Sequence, residues 1–179
     1  MRKALHLMGF LDDVDVQWMV KNGVKQYVTT GTVLIQEGAS IDSVYVVLDG
    51  ALSVRAAAMD GKEIAALFSG EIVGEMSFVS SRPPYASVVA LHDSHVLVIP
   101  CNLLREKLVE DHAFAARFYR ALAGFLADRL SVTVGRFGYG SAQQDIDPEE
   151  LDDSSMNEIA VAANRFEDLL RACSVESFV

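Results

Sequence analysis

Apolar residues along this chain follow two different periods, and the change of period marks out its elements. Near the start, Val16, Trp18, Met19 and Val20 outline a short helix that Asp12 or Asp13 can cap and Gly23 can end. From Gln26 to about Pro100 the apolar residues fall into short β-rich runs separated by turn residues. Residues 33–35, 44–48, 52–54, 64–68, 86–90 and 95–99 read as strands. Asp49-Gly50 and Asp60-Gly61 read as type I′ hairpin turns, whose two central residues both need positive φ. So many short strands predict a barrel or sandwich. After Pro100 the period becomes helical. Leu103, Leu104 and Leu108 predict one short helix, and Asp111 can cap a second that carries Phe114, Phe118, Leu122, Phe125 and Leu126. Gly135, Gly138 and Gly140 break that pattern. Asp147-Pro148-Glu149-Glu150 resembles a further helix start, and Ile159, Ala163, Phe166, Leu169 and Leu170 outline a last amphipathic helix.

These changes divide the chain into a helical lead-in (1–25), a β domain (26–100), a pair of helices (101–140) and an acidic linker with a tail helix (141–179). Hydrophobic residues make up 51% of the 179, which excludes wholesale disorder. No run approaches the roughly 20 apolar residues of a membrane span, and the first ten residues lack the apolar length of a secretory signal. A cytoplasmic location is the expectation. Of the net charge of −10, the segment 141–179 contributes −8, from 2 basic and 10 acidic side chains. Such a tail repels phosphate backbones, and nothing after Gly140 reads as a basic recognition helix, so DNA is not an expected partner.

Candidate chemistry is sparse. Cys101 and Cys173 lie far apart and suggest buried thiols rather than a disulfide or zinc site. His92 and His95 sit in a turn between strands without further metal ligands at a useful spacing. The acidic run 145–153 lacks the spacing of a calcium loop. No nucleotide-hydrolysing loop, nucleophile elbow or metalloprotease motif appears, so neither an enzyme nor a bound cofactor or metal is expected.

Two segments are more specific. Gly31-Thr32-Val33-Leu34-Ile35-Gln36-Glu37-Gly38, followed by Asp42-Ser43-Val44-Tyr45-Val46-Val47-Leu48-Asp49-Gly50-Ala51-Leu52-Ser53-Val54, closely resembles the opening of the cyclic-nucleotide-binding domain family. That family includes catabolite activator proteins, protein kinase A regulatory subunits and nucleotide-gated channels. Gly70-Glu71-Ile72-Val73-Gly74-Glu75-Met76-Ser77-Phe78, followed by Arg82-Pro83-Pro84-Tyr85-Ala86-Ser87-Val88, resembles the family's phosphate-binding cassette. The resemblance covers roughly residues 10–130 and implies a mainly β fold with flanking helices. The fold would be a jelly-roll β-roll (a double-stranded β-helix) with an N-terminal helix and C-terminal helices.

The resemblance implies a ligand, cyclic AMP or cyclic GMP, and a set of contacts. Gly74 matches the close-approach glycine, Glu75 the ribose-binding carboxylate, and Met76 and Ser77 can supply N–H donors to a cyclic phosphate. Ala86 and Ser87 lie at the cassette's end, where Tyr85 can stack on a base or plug the site. Family cassettes often place an arginine where this chain has Pro84, which has neither charge nor N–H; Arg82 is the nearby substitute. Losing a charge-assisted hydrogen bond there costs roughly 1.5–3 kcal/mol. Two functions follow. One is a regulatory sensor in which ligand binding at 70–88 moves the C-terminal helix and alters a contact with a second copy or a partner protein. The other is a ligand-free roll serving as an assembly or docking module. Tyr119 or Arg120 would be the lid contact from the long helix.

Overall fold

The computed structural model describes residues 5–136 and 153–175. Two helices, α1 (Leu5–Phe10) and α2 (Asp13–Asn22), lead into β1 (Val24–Val28), β2 (Val33–Ile35), β3 (Ser43–Asp49), β4 (Ala51–Arg55), β5 (Glu63–Phe68) and β6 (Ile72–Val73). A short helix, α3 (Glu75–Ser80), precedes β7 (Ser87–Ala90) and β8 (Ser94–Pro100). The chain then forms α4 (Cys101–Glu110), α5 (His112–Arg136) and α6 (Asp153–Val175). The strands make two antiparallel four-stranded sheets, ordered β1-β8-β3-β6 and β2-β7-β4-β5, the β-roll that the sequence led us to expect.

The unbroken apolar run of β3 has a simple cause. Val44, Val46 and Leu48 face a core shared with the helices, while Val47 faces the interior of the roll with Leu52, Leu67, Val88 and Val96. β8 divides its side chains in the same way, with Leu97 and Ile99 toward the helices and Val96 inward. Strands covered on both faces lose the polar alternation of a half-buried strand.

Several turns explain themselves. Asp60 and Gly61 both have positive φ (54° and 69°) and join the paired strands β4 and β5, as predicted for a hairpin. Asp49-Gly50 differs. Only Gly50 has positive φ, and the strands on either side of it belong to different sheets, so this is a corner of the roll and not a hairpin. Gly23 ends α2 as expected, for a steric reason: a Cβ there would lie 2.7 Å from both Leu97 Cδ1 and the Met19 carbonyl. β1 and β6, absent from the sequence reading, are short. β1 is an exposed edge with only Val28 buried, so it carries little hydrophobic pattern. The long helix continues through Gly135 to Arg136, because one helical glycine costs only about 1 kcal/mol. The expected helix start at 147–150 and most of the acidic run lie outside the described residues.

The helices pack on the outer face of the first sheet. Phe114 and Phe118 are fully buried and stacked 5.7 Å apart, with Trp18 against the former and Phe78 of α3 edge-on to the latter. A buried ion pair fixes α2 to α5: Arg117 Nε and Nη2 reach Asp15 at 2.6 and 2.8 Å. Burial pushes the Asp15 carboxyl up, but hydrogen bonds from Arg117 and the Asp12 N–H outweigh it and hold the pKa below the usual value.

Two outcomes test this packing. Phe118→Ala should lower unfolding stability by about 3–5 kcal/mol in urea titrations, the usual range for a fully buried aromatic. Asp111 caps α5 through the Phe114 N–H (2.9 Å) and pairs with Lys107 (2.8 Å), and the Lys107 hydrogen bond is the main reason its pKa falls to about 2. A depressed carboxylate pKa stabilises the fold above its unfolded value, and that contribution is lost as pH falls through the folded value. Asp111→Asn should therefore flatten the acid limb of the stability curve between roughly pH 4 and pH 2 and lower stability at neutral pH.

Candidate functional site

The cassette is built around a backbone turn that only glycine makes easily. Gly74 has φ +90° and stands at the N-terminus of α3. A Cβ there would lie 3.3 Å from the Ser43 carbonyl and 3.4 Å from both Ile35 and Ile41 Cδ1. The turn sends the next residue, Glu75, inward, so its side chain is 2% exposed. The returning arm of the cassette is sutured to the loop after β2. Gly38 N–H donates to the Pro84 carbonyl (2.9 Å), and Glu37 N–H donates to Ser87 Oγ (2.9 Å). Pro84 is buried and acts as a strut in that seam.

A carboxylate that deep in the protein needs a cation, and α5 provides it. Arg129 Nη1 lies 2.8 Å from Glu75 Oε1. The guanidinium also lies 4.2 Å from the centre of the Phe125 ring, one turn earlier. Burial raises the Glu75 pKa, and the pull of Arg129 and of the Glu75 and Met76 N–H groups opposes that rise without cancelling it. Cassette and long helix also meet through the rings of Phe78 and Phe118, and Arg105 of α4 covers the Phe78 ring at 5.1 Å.

Of the other expected residues, Ser77 is buried beside Glu75 in α3, and Met76 points outward. Arg82 and Tyr85 both lie at the surface, and Tyr85 is 66% exposed. Ala86 and Ser87 are partly covered, and Ser87 is engaged in the seam. Val54 faces the roll interior, paired with Ala65 on one side and Val88 on the other, and Val54 and Ala65 are only partly covered. They offer an apolar seat inside the roll, on strands adjoining the cassette's arms.

The helix contact came from a different residue than Tyr119 or Arg120. Tyr119 packs edge-on to Phe118, and Arg120 lies 4.8 Å over the Phe10 ring of α1. The sequence did carry a signal for Arg129. Positions 114, 118, 122 and 125 form the buried stripe of α5, and 129 is its next member, a charge placed where the pattern calls for an apolar side chain. Among the described residues no group of three or more His, Cys, Asp or Glu side chains could hold a metal, and no helix is long and apolar enough to cross a membrane. His95 instead packs against Tyr27, with ring centres 5.2 Å apart.

Chemically, the site offers a buried carboxylate able to accept a hydroxyl hydrogen bond, a guanidinium able to meet an anion, and an apolar wall. The sequence profile of the cyclic nucleotide-binding domain family matches residues 25–111. A Pycsar effector protein of Xanthomonas perforans, XpPycTIR, is 32% identical over 105 residues, which is 56% of this chain and 31% of that protein. The chain therefore spans about a third of the length of this curated relative. Among solved structures, a cyclic nucleotide-binding domain from Methylobacillus flagellatus superimposes with a TM-score of 0.67 at 21% identity, covering 75% of this chain and 80% of its own. The N-terminal domain of a transcriptional regulator from Streptomyces coelicolor does so at 0.59 and 26% identity, covering 69% and 90%. The fold and the profile match agree: residues 25–111, just under half of the chain, match the cyclic nucleotide-binding domain family and take the β-roll of its solved members.

Proposed function

We propose that the chain is a regulatory sensor of a cyclic nucleotide, in which ligand and α5 compete for Glu75. The observation that carries this reading is the buried Glu75–Arg129 pair, the charge contact between cassette and long helix. A ribose 2′-hydroxyl donating to Glu75 would displace the guanidinium. Arg129 would then be available to the cyclic phosphate, a role the uncharged Pro84 cannot fill. Breaking the pair would leave the Glu75 carboxylate buried without its cation, so α5 stays latched until ligand contacts replace the lost one. Ligand binding is then a shift between latched and unlatched helix positions, driven by its higher affinity for the second.

The readout of such a shift is a contact with a second copy of the chain through the C-terminal helices. α5 carries exposed Tyr119, Leu130 and Val134 at helical spacing, with exposed Ala123 and Ala127 between them. This acidic chain suits neither DNA nor a membrane as partner, and its two buried thiols suit a cytoplasmic setting.

Thermal melts with the 3′,5′-cyclic monophosphates of adenosine, guanosine, uridine and cytidine test the sensor reading. One of them should raise Tm in a concentration-dependent way, by about 2.7 kcal/mol of added stability at a hundred times its Kd, and Glu75→Ala should abolish the shift. Silence from all four at millimolar concentration would instead favour a ligand-free docking module. Acid gives a second test. With its folded pKa raised, Glu75 favours folding most below its unfolded value, and that contribution is lost as pH rises through the folded value. The pair with Arg129 runs the other way and exists only where the carboxyl is ionised. Backbone hydrogen exchange in α5 around Arg129 should therefore speed up, after correction for intrinsic rates, as pH falls through the mildly acidic range. In Glu75→Gln it should be fast throughout and lack that pH dependence.

A further inference from the structure

We propose that α6 is a strap that holds the latched state, clamping α1 against α5 and letting go when the cassette is occupied; this rests on the sensor reading above. α6 lies beyond the family match at 25–111.

The geometry is that of a shim between two walls. On one side of α1, Phe10 lies against α5: its ring sits under the Arg120 guanidinium at 4.8 Å, and a methyl placed on Gly124 would stand 3.4 Å from its Cε2. On the other side, Gly9 faces α6, where a methyl would stand 3.7 Å from the Ala162 Cβ. Arg165 of α6 bolts the arrangement together. Its Nε reaches Asp13 Oδ1 at 2.7 Å, and its Nη1 reaches the Met8 and Gly9 carbonyls at 3.3 and 3.5 Å, at the C-terminal end of α1. Met8, Ala162, Leu169 and Cys173 are buried in the same core as Phe118 and Phe125 of α5.

Length makes the shim sensitive. α1 has six residues, far below the ~12 at which an isolated helix becomes even marginal, so its order depends on both walls. Arg129 lies on α5 five residues beyond Gly124, a little over one turn. A displacement of α5 that frees Arg129 from Glu75 therefore withdraws a wall from Phe10. α6 then loses the surface on which Ala162 and Arg165 rest. What remains is its contact with α2, the Arg165–Asp13 pair beside a cleft of about 270 Å³ lined by Val16, Val20, Arg165 and Ala172. The coupling is reciprocal, as linkage requires. What loosens α6 must also favour the unlatched helix and so tighten ligand binding.

Cys173, 4% exposed on the inner face of α6, is a built-in reporter. In Cys101→Ser it is the one remaining thiol of the chain's two cysteines. Its rate of reaction with Ellman's reagent is measured without ligand and with whichever of the four cyclic nucleotides raises Tm. Hydrogen exchange of α6 in the unsubstituted chain is the second readout, independent of the cysteine change. Ligand should raise thiol reactivity and α6 exchange by roughly tenfold or more, the scale of a shifted local opening equilibrium. Arg165→Ala should raise both without ligand and lower the ligand's Kd several-fold, while circular dichroism shows the roll intact. Ligand binding that leaves both α6 readouts unchanged would overturn the strap and leave the sensor standing. If none of the four nucleotides binds, the sensor fails and Arg129→Ala decides the strap alone. Faster α6 opening in that variant supports it, and unchanged opening overturns it.

Discussion

A carboxylate taken out of water must find a cation or give up its charge, and in this fold the cation lies on a different element. Glu75 is placed by a turn that needs a glycine at Gly74, and Arg129 by the buried stripe of a 25-residue helix. The pair ties the six-residue helix α3 of the cassette to α5. Much of the surrounding structure serves to hold the two ends of that pair in register. The Asp15–Arg117 pair and the Trp18–Phe114 contact fix the first two turns of α5, and the seam at Gly38, Pro84 and Ser87 fixes the cassette's returning arm.

The division of labour along α5 follows from this. Its first turns are tied to α2 and α4 by a cap, an ion pair and stacked rings, whereas the stretch around Arg129 meets the cassette through one ion pair. The exposed Leu130 and Val134 lie in that second stretch.

The roll was legible because its signals are local. Glycines at forced backbone positions, paired turn residues and β-branched runs each report on a few neighbours, and Gly31, Gly38, Gly50, Gly61, Gly70 and Gly74 all take positive φ. β1 and β6 were missed because one is an edge strand that buries little and the other has two residues. Asp49-Gly50 was misread because a hairpin and a sheet-changing corner draw on the same residue types. At the site, Gly74 and Glu75 could be singled out from the cassette pattern, while Arg129 showed only as a charge in an apolar stripe, its partner 54 residues away being set by where two elements meet. Arg82 and Tyr85, singled out by position, lie exposed on the cassette's returning arm.

The two-sided burial of β3 and β8 has a consequence for how this architecture can vary over evolutionary time. One strand carries the inner lining of the roll on alternate residues and the floor of the helical layer on the others. The layer built from α2, α4 and α5 therefore cannot be traded away without baring Val44, Val46, Leu97 and Ile99 to water. Roll and layer form one inherited unit. α6 is bound by the same rule where Ala162, Leu169 and Cys173 join that core, and only its outer face is free to vary.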